Sequence, residues 1–416
     1  MKFLDKLFGR RLPEPRPDQR PKDRFADELI AIIRETVSDL PIQYDAENFE
    51  LIHTRANGKP GQRTFLHNIF AEFDRTAEAD RQALLRKFAA FVADSQNPTA
   101  RGDVALDALM PVLRSRADMV ATGRSLGIWP YNRAARPFCD TMLLMLALDS
   151  EHAIRILTDE QLDEFNISFD DALGIAIAHL NDRGEHNFGQ LGEGTFISGS
   201  GDSYDASRLL VPGLIEELPV KGNPIALVES RSALLVTGSD DPDGLEMIAR
   251  YAIEDFPNND RAVSLTPIEL VDGAWRVFEI CDHHPQELRN LVQHQRGWSY
   301  EVTKKQLQEE LGDDVFVASV KFAENEDGRA ATLAAWAADT VTACPVVDAV
   351  MIQAKGDFPE ILRSFADVMA ICGPFPIVEA MPYPPRYLLP ASIDPERRRE
   401  LTDKFPIYEL FPRRSA

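Results

Sequence analysis

Apolar residues recur along the chain at two periods, one typical of helices and one typical of strands. Between residues 24 and 38, a helical spacing predicts one apolar face made of Phe25, Leu29, Ile32, Ile33 and Val37. Two strands near residues 49–54 and 63–67 flank a turn rich in Gly and Pro, which is a hairpin signal. A long helix is then predicted over residues 69–94.

The middle of the chain has the most regular pattern. Residues 141–148 are almost continuously apolar and predict a buried central strand, with residues 153–157 as its partner. Ser168 is followed by Asp170 and Asp171, a pattern that predicts a capped helix start. Residues 205–218 are predicted to be helical with a break at Pro212.

Further hairpins and helices are predicted towards the C-terminus. One hairpin joins residues 225–228 to 233–236, and another joins 263–270 to 275–280 across Asp272-Gly273. Helices are expected from Pro242 to about 255, and over 285–296, 303–311 and 359–371; strands are expected over 315–321 and 347–353. This alternation predicts an α+β protein with helices packed on predominantly antiparallel sheets, in two or three lobes.

Domain limits follow from shifts in composition. Residues 1–22 are basic and rich in proline and predict an extended arm. Residues 23–100 are expected to form an N-terminal helical and hairpin lobe, and residues 101–262 a central α+β domain. Residues 263–416 are expected to form a C-terminal α+β extension with a proline-rich tail.

Charge and cysteine usage narrow the classes of partner and compartment. The 416 residues carry a net charge of −22. Nucleic-acid binding needs a basic surface, so this charge argues against it and suits a basic protein partner. The four cysteines have no disulfide or zinc-finger spacing, which predicts reduced thiols in the cytoplasm. No stretch reaches the length of a transmembrane helix, so we expect no stable membrane anchoring. Weak surface contact by residues 1–11 stays open beside a frayed terminus.

Several segments together resemble a known family. They read PVLRS at 111–115, YDASRLL at 204–210, a hairpin around Ser230-Arg231, DDPDGL at 240–245 and VSLTP at 263–267. Over about residues 45–270 the chain resembles the YtpQ-like family, a bacterial domain of unknown function. Its most specific segment is YDASR, and the resemblance supplies no catalytic residues.

The glycine-rich loop at 199–203 leads into this YDASR segment. It is not a nucleotide-binding loop, because no Gly-Lys-Ser/Thr follows and two aspartates would repel phosphate. Asp202 or Ser203 is expected to cap the following helix, Asp205 to favour its dipole, and Arg208 to pair with Asp205 one turn on.

A second aspartate pair, Asp240 and Asp241, allows an alternative interpretation as part of a metal or phosphate site. If the two loops are neighbours, four aspartates would suit Mg²⁺ or Ca²⁺, and an arginine would hold a phosphate. Asp240-Asp241-Pro242 equally fits a helix cap with proline at the first position, which we favour, so we predict no metal and no cofactor. The candidate cluster is Asp202, Tyr204, Asp205, Arg208, Arg231, Asp240 and Asp241.

The run Cys281-Asp282-His283-His284 is rich in metal-ligand types. Neighbouring residues rarely all reach one metal, and Cys344 or His294 would have to complete a zinc site. We therefore predict a loop cap before Pro285 instead of a zinc site.

Two functional hypotheses follow. The first is a binding or regulatory protein without chemistry, since the sequence has no nucleophile elbow and no HExxH. The alternative is a metal-assisted hydrolase or phosphate-binding enzyme built on Asp205, Arg208, Asp240 and Asp241, so the sequence leaves enzymatic activity open. Binding predicts that these charges are used in caps and ion pairs, whereas catalysis predicts that they point into a pocket.

Overall fold

The structure is a computed structural model. It describes residues 21–36, 41–46, 49–54, 60–96, 106–125, 134–149, 154–184, 186–256, 261–356, 359–403 and 410. The predicted arm at 1–22, except for its last two residues, and the predicted surface helix at 1–11 lie outside these ranges. Within the ranges the α+β class is confirmed, because helices accompany sheets that are mostly antiparallel.

Two compact units make up the chain. The first contains residues 1–109 and 147–156, and the second contains residues 110–146 and 157–416. The domain limits drawn from the sequence stay predictions.

Among its described residues, the first unit holds three helices and a small sheet. Its elements are α1 (Pro21–Thr36), β1 (Ile42–Asp45), β2 (Glu50–Thr54), β3 (Pro60–Phe65), α2 (His67–Arg75) and α3 (Arg81–Gln96). The sheet has the antiparallel order β1-β2-β3. Phe25, Leu29 and Ile33 on the predicted apolar face of α1 are buried. The single helix predicted over 69–94 was wrong, because Thr76 is extended and its hydroxyl donates to the Glu72 carbonyl, which ends α2.

The predicted central strand is confirmed. A four-stranded sheet has the order β4-β6-β5, with β7 antiparallel to β6. Its strands are β4 (Leu109–Ser115), β5 (Ala135–Phe138), β6 (Met142–Asp149) and β7 (Ile154–Ile156), and α4 (Arg116–Ser125) follows β4. Leu146 and Ala147 in β6 are fully buried, as their continuous apolar pattern predicts.

A six-stranded antiparallel sheet forms the centre of the second unit, in the order β13-β12-β10-β11-β9-β8. Its strands are β8 (Phe188–Gly192), β9 (Thr195–Ser198), β10 (Pro224–Ser230), β11 (Ala233–Gly238), β12 (Ile268–Val271) and β13 (Ala274–Val277). The helices around it are α5 (Asp159–Glu164), α6 (Phe169–Asp182), α7 (Pro212–Glu216) and α8 (Pro242–Asp255).

Local sequence signals explain much of this sheet. The Ser168 hydroxyl accepts from the Asp171 amide and starts α6, as predicted. The Asp272-Gly273 hairpin is confirmed, and both residues have positive φ, which the two-residue turn requires. The helix predicted over 205–218 was wrong in part: a 3₁₀ turn (Ala206–Leu210) comes first, and Pro212 starts the short α7.

The rest of the second unit contains two smaller sheets, with orders β14-β17-β20 and β15-β16-β18-β19. Their strands are β14 (Val315–Val317), β15 (Lys321–Glu324), β16 (Ala330–Trp336), β17 (Val341–Pro345), β18 (Ala349–Ile352), β19 (Ile361–Ser364) and β20 (Arg386–Leu389). The helices are α9 (Gln286–Leu311), α10 (Phe365–Cys372) and α11 (Pro395–Asp403).

Two helix predictions fail here for physical reasons. The predicted pair at 285–296 and 303–311 is one helix, α9, which continues through Gly297 because Phe322 occupies the space where a side chain would stand. The helix predicted from residue 359 begins only at Phe365, where the Ser364 hydroxyl accepts from the Asp367 amide. In the described part of the chain, no helix is both long and apolar enough to cross a membrane.

Candidate functional site

Asp205 is the anchor of the loop before the 3₁₀ turn. One carboxylate oxygen accepts from the Ser198 hydroxyl at 2.7 Å and from the Ser200 amide at 2.9 Å. The other accepts from the Gly201 amide at 3.3 Å. Asp205 is 1% exposed and stands at the start of the turn, but its side chain closes the preceding loop and makes no cap hydrogen bond. Its predicted effect on the dipole stays a prediction.

Arg208 is buried beside this carboxylate and forms a two-pronged ion pair with Asp202. Its Nη1 and Nη2 each donate to one oxygen of Asp202 at 2.9 Å. The predicted pair with Asp205 is present at 3.7 Å but is longer. A bidentate pair of this kind is strong only when both partners are held, and Arg208 is 1% exposed.

The position of Asp202 is set by three further contacts. Its Oδ1 accepts from the Tyr204 amide at 3.0 Å, and Arg183 lies 3.5 Å from Oδ2 and over the Tyr204 ring. Burial alone would raise the pKa of Asp202, but the hydrogen bonds from Arg208 and Tyr204 outweigh burial and lower that pKa. The predicted helix-capping role of Asp202 is therefore wrong, since this carboxylate holds Arg208.

Asp240 and Asp241 lie at the other end of the sheet. Asp241 accepts from the Gly244 amide at 3.3 Å and caps α8, so the predicted cap is confirmed, with Lys221 3.5 Å away. Asp240 accepts from the Ser239 hydroxyl at 3.2 Å.

The two aspartate pairs are separated by the length of a strand. A side chain on Gly194, just before β9, would touch Asp241, whereas Asp205 binds Ser198 at the far end of β9. At roughly 3.3 Å per residue this separation is about 13 Å. The four carboxylates therefore do not share one metal ion.

Arg231 does lie beside the YDASR segment. It occupies the turn between β10 and β11, where its carbonyl accepts from the Ala206 amide at 3.3 Å and its amide donates to the Arg261 carbonyl at 3.1 Å. Burial and then the Arg231 guanidinium lower the pKa of Arg114 to about 9. Arg114, Asp118, Arg231 and Arg261 thus form an arginine-rich centre next to Tyr204.

Four members of this neighbourhood were missed by the sequence analysis: Arg114, Asp118, Arg183 and Arg261. Arg114 belongs to the PVLRS segment, so the structure brings together three of the segments that carry the resemblance to the YtpQ-like family. Membership of that family stays a prediction. No spacing rule could join Arg114 to Arg231, because the two positions lie far apart in the sequence and in different sheets, so their proximity depends on how those sheets pack.

An exposed surface on the edge of the six-stranded sheet was also missed. We define the edge patch as Leu191 in the edge strand β8 with Met247 and Tyr251 in α8, which are 38%, 38% and 37% exposed. Gly192 gives Met247 its space, since a Cβ there would lie 2.6 Å from the Met247 methyl group. Burial and then the nearby Asp255 raise the pKa of Tyr251.

Three side chains that were not expected to reach one metal lie together in one turn. We call this turn, residues 281–284, the ligand loop. Cys281, His283 and His284 offer a sulfur and two ring nitrogens within 4.8 Å of one another. The His284 amide donates to the Cys281 carbonyl at 3.1 Å, and the Cys281 amide donates to His284 Nδ1 at 2.8 Å. Burial and then the neighbouring His283 lower the pKa of His284.

The two residues expected to complete a zinc site are elsewhere. Cys344 is fully buried in the core with Trp336 and Val350, and burial raises the pKa of its thiol to about 12. His294 stacks on Phe322 with ring centroids 5.3 Å apart. Any site at the ligand loop must therefore be built without them.

Compared with models of protein families, with curated proteins and with solved structures, the chain matches none. Its function has to be inferred from the chemistry and placement of its own side chains.

Proposed function

We propose that the protein is a cytoplasmic, non-catalytic binding protein that docks a basic, extended segment of a partner protein at the edge patch. The observation that carries the proposal is that the exposed Met247 lies against Gly192 of the uncharged edge strand β8, next to the exposed Leu191, on a helix that carries four carboxylates. Exposed apolar groups grouped in this way are typical of interaction sites.

The edge strand has the properties of a template for strand addition. No strand of the described ranges pairs with the outer edge of β8. Natural edges are usually blocked by Lys, Pro or bulges, but the FGQLG sequence of β8 has no charge and no proline, and its only irregularity is a register shift between Gln190 and Gly192. The opposite edge, β13, carries Arg276, which pairs with Glu269 at 2.9 Å.

The charges around the edge patch favour a partner segment of positive charge. Helix α8 carries four carboxylates, Asp243, Glu246, Glu254 and Asp255, against one arginine. That Arg250 is itself paired with Glu246 and with Glu287. A negative frame around apolar anchors favours a basic segment and speeds its encounter.

The contacts made by the charged side chains of the YDASR loop support a binding protein and not an enzyme. Asp202, Asp205 and Arg208 hold one another and the loop amides, so they are not presented to a substrate. The hydrolase hypothesis loses its support because Asp240 and Asp241 lie about one strand length from Asp205. The thiols of all four cysteines are unpaired, which agrees with a reducing compartment.

A labelled peptide of alternating Lys and Val tests the proposal by fluorescence anisotropy with the full chain. We expect saturable binding by the wild type, little binding of a Glu/Val peptide, and at least about tenfold weaker Lys/Val binding by the variant Leu191→Lys/Met247→Lys. Val277→Lys, on the opposite edge at an apolar position that is 45% exposed, is the control, and it adds one positive charge where the edge-patch variant adds two.

Equal loss of binding in Val277→Lys and in the edge-patch variant would show that only the overall charge matters, and would overturn the docking site. Unchanged binding in the edge-patch variant would overturn it too. Salt titration of each protein separates the screened electrostatic part from the apolar part.

A further inference from the structure

The ligand loop has a feature that no binding surface requires: a thiol and two imidazoles that meet in one tight turn. The geometry points to a site for a divalent transition-metal ion, with Zn²⁺ as the ion that fits best, held by Cys281, His283 and His284. This inference does not rest on the docking of a partner at the edge patch.

The turn explains how residues so close in sequence can converge. The hydrogen bond from the His284 amide to the Cys281 carbonyl reverses the chain direction, which places residues 281 and 284 side by side. The rings of His283 and His284 then lie with centroids 4.2 Å apart. The expectation that neighbouring residues point apart holds for helices and strands, not for a closed turn.

The spacing of the donor atoms is close to that of a zinc site. With Zn–S near 2.3 Å and Zn–N near 2.0–2.1 Å, tetrahedral donors stand about 3.3–3.6 Å from one another. The three donors already lie within 4.8 Å, so small side-chain rotations are enough to close the set. Cys281 and His283 are exposed, which leaves room for these rotations.

The donor types select the metal. One thiolate and two imidazoles suit Zn²⁺, whereas Mg²⁺ and Ca²⁺ prefer oxygen ligands. Asp282 is drawn away from the set, since Arg289 lies 3.7 Å from its carboxylate. When the metal–sulfur bond forms, the Cys281 thiol releases its proton to solvent, and the metal takes the sulfur lone pair.

The fourth coordination position is left to water or to a ligand from a neighbouring pocket. His283 and His284 line an open pocket of about 650 Å³ whose other walls include Arg289, Asp327 and Arg329. Asn290 in α9 fixes the far wall, because it donates to the Gly328 carbonyl at 2.7 Å and accepts from the Ala330 amide at 3.0 Å. An anionic ligand on the metal would meet arginines there.

One hydrogen bond is exchanged when the metal binds. The Cys281 amide donates to Nδ1 of His284, so coordination through Nδ1 replaces this bond, and coordination through Nε2 requires the ring proton to move to Nδ1. Phe278 packs edge-on against the His284 ring, with ring centroids 5.0 Å apart, and limits how far that ring can move.

Calorimetric titration of the chelator-treated full chain with ZnCl₂, in a phosphine reductant, tests the site. We expect one saturable site per chain, with affinity lowered at least about tenfold in Cys281→Ser and in His283→Gln, since even indirect partners of metal ligands cost that much. Cys139→Ser is the control for thiol loss, because Cys139 lies in another turn of the chain.

Titration with Co²⁺ gives a second readout that an acidic surface would not produce. Bound Co²⁺ should show a thiolate charge-transfer band in the wild type and in Cys139→Ser, and none in Cys281→Ser. Zinc binding of equal strength in all variants, or cobalt binding without the thiolate band, would assign the metal to surface carboxylates and overturn the site. An absence of zinc binding would overturn it as well.

Discussion

Two loops of the second unit carry similar numbers of reactive side chains and use them in opposite ways. The loop that contains YDASR encloses Asp205 and Arg208, each 1% exposed, and its carboxylates accept hydrogen bonds from amides, a hydroxyl and a guanidinium. The ligand loop keeps Cys281 and His283 exposed, and in the described structure the Cys281 thiol has only a long contact, 3.9 Å, with the Glu279 carbonyl.

The difference teaches how a charged motif should be interpreted. Buried charges persist only when other groups of the fold satisfy them, so a dense polar network at YDASR indicates a structural role. Exposed ligand atoms have no such requirement, and their convergence costs little stability. The motif with the more specific sequence is therefore the weaker candidate for binding, and the short run before Pro285 is the stronger one.

Removal of Arg208 should break the first loop most severely. Arg208→Leu removes the buried guanidinium that pairs with Asp202 and Asp205, although Arg183 stays 3.5 Å from Asp202, and we expect the free energy of unfolding to fall by about 3–5 kcal/mol. Urea denaturation followed by circular dichroism measures the loss. Arg250→Leu is the control, since its exposed ion pairs predict a change below about 1 kcal/mol. Equal effects of the two substitutions would refute the structural role of the loop.

Asp205→Asn should cause the next largest loss of stability. The amide keeps one acceptor oxygen but turns an NH₂ group towards the donors on the other side, which are either the Gly201 amide or the Ser198 hydroxyl and the Ser200 amide. We expect a loss of about 1–3 kcal/mol in the same denaturation experiment. A variant as stable as the wild type would mean that Asp205 is kept for a reason other than stability, and would revive the catalytic hypothesis.

Acidification should weaken the YDASR loop through Asp202. Because the pKa of Asp202 is lower in the folded protein than its ordinary value of 3.8, the ion pair stabilises the fold at neutral pH. This stabilisation is lost as the pH falls below 3.8 through the lowered pKa. Urea midpoints measured from pH 7 to about pH 2.5 should fall less steeply for Asp202→Asn than for the wild type. Asp243→Asn, exposed in the first turn of α8, should keep the wild-type slope.

The sequence predicted those elements whose signals are local. The Ser168 and Asp241 caps, the Asp272-Gly273 turn and the apolar run of β6 each depend on a few neighbouring residues. Helix ends set by distant partners were misjudged. The two helices predicted over 285–296 and 303–311 are one helix, α9, in which the Phe322 ring packs against Gly297. Strands β17 and β20 were missed because they pair with strands distant in the sequence, β17 with β14 in parallel and with β20.

The residues of the candidate site were likewise predicted only in part. Arg231 was included in the candidate cluster and does contact the YDASR segment, whereas Arg114 comes from a different sheet and Arg261 from a segment hydrogen-bonded to the turn after β10, which no spacing reveals. Asp240 and Asp241 were grouped with Asp202 by chemistry alone, although an intervening strand separates them. Exposure, which decides what the ligand loop can bind, is a property of packing and has no marker in the sequence.

Substitutions in the ligand loop should have the smallest effect on stability. They test the contrast between this loop and the YDASR loop directly. Cys281 and His283 are exposed and make few contacts, so Cys281→Ser and His283→Gln should each change the free energy of unfolding by less than about 0.5 kcal/mol in the presence of a chelator. With Zn²⁺ added, the wild type should gain more stability than either ligand-loop variant, in proportion to the logarithm of the metal concentration well above the dissociation constant, because the ion binds the folded state. The YDASR variants should show the converse, a large loss of stability with an unchanged gain from zinc. If the ligand-loop variants instead lost as much stability as Asp205→Asn without any metal, both loops would be structural, and the contrast between them would disappear.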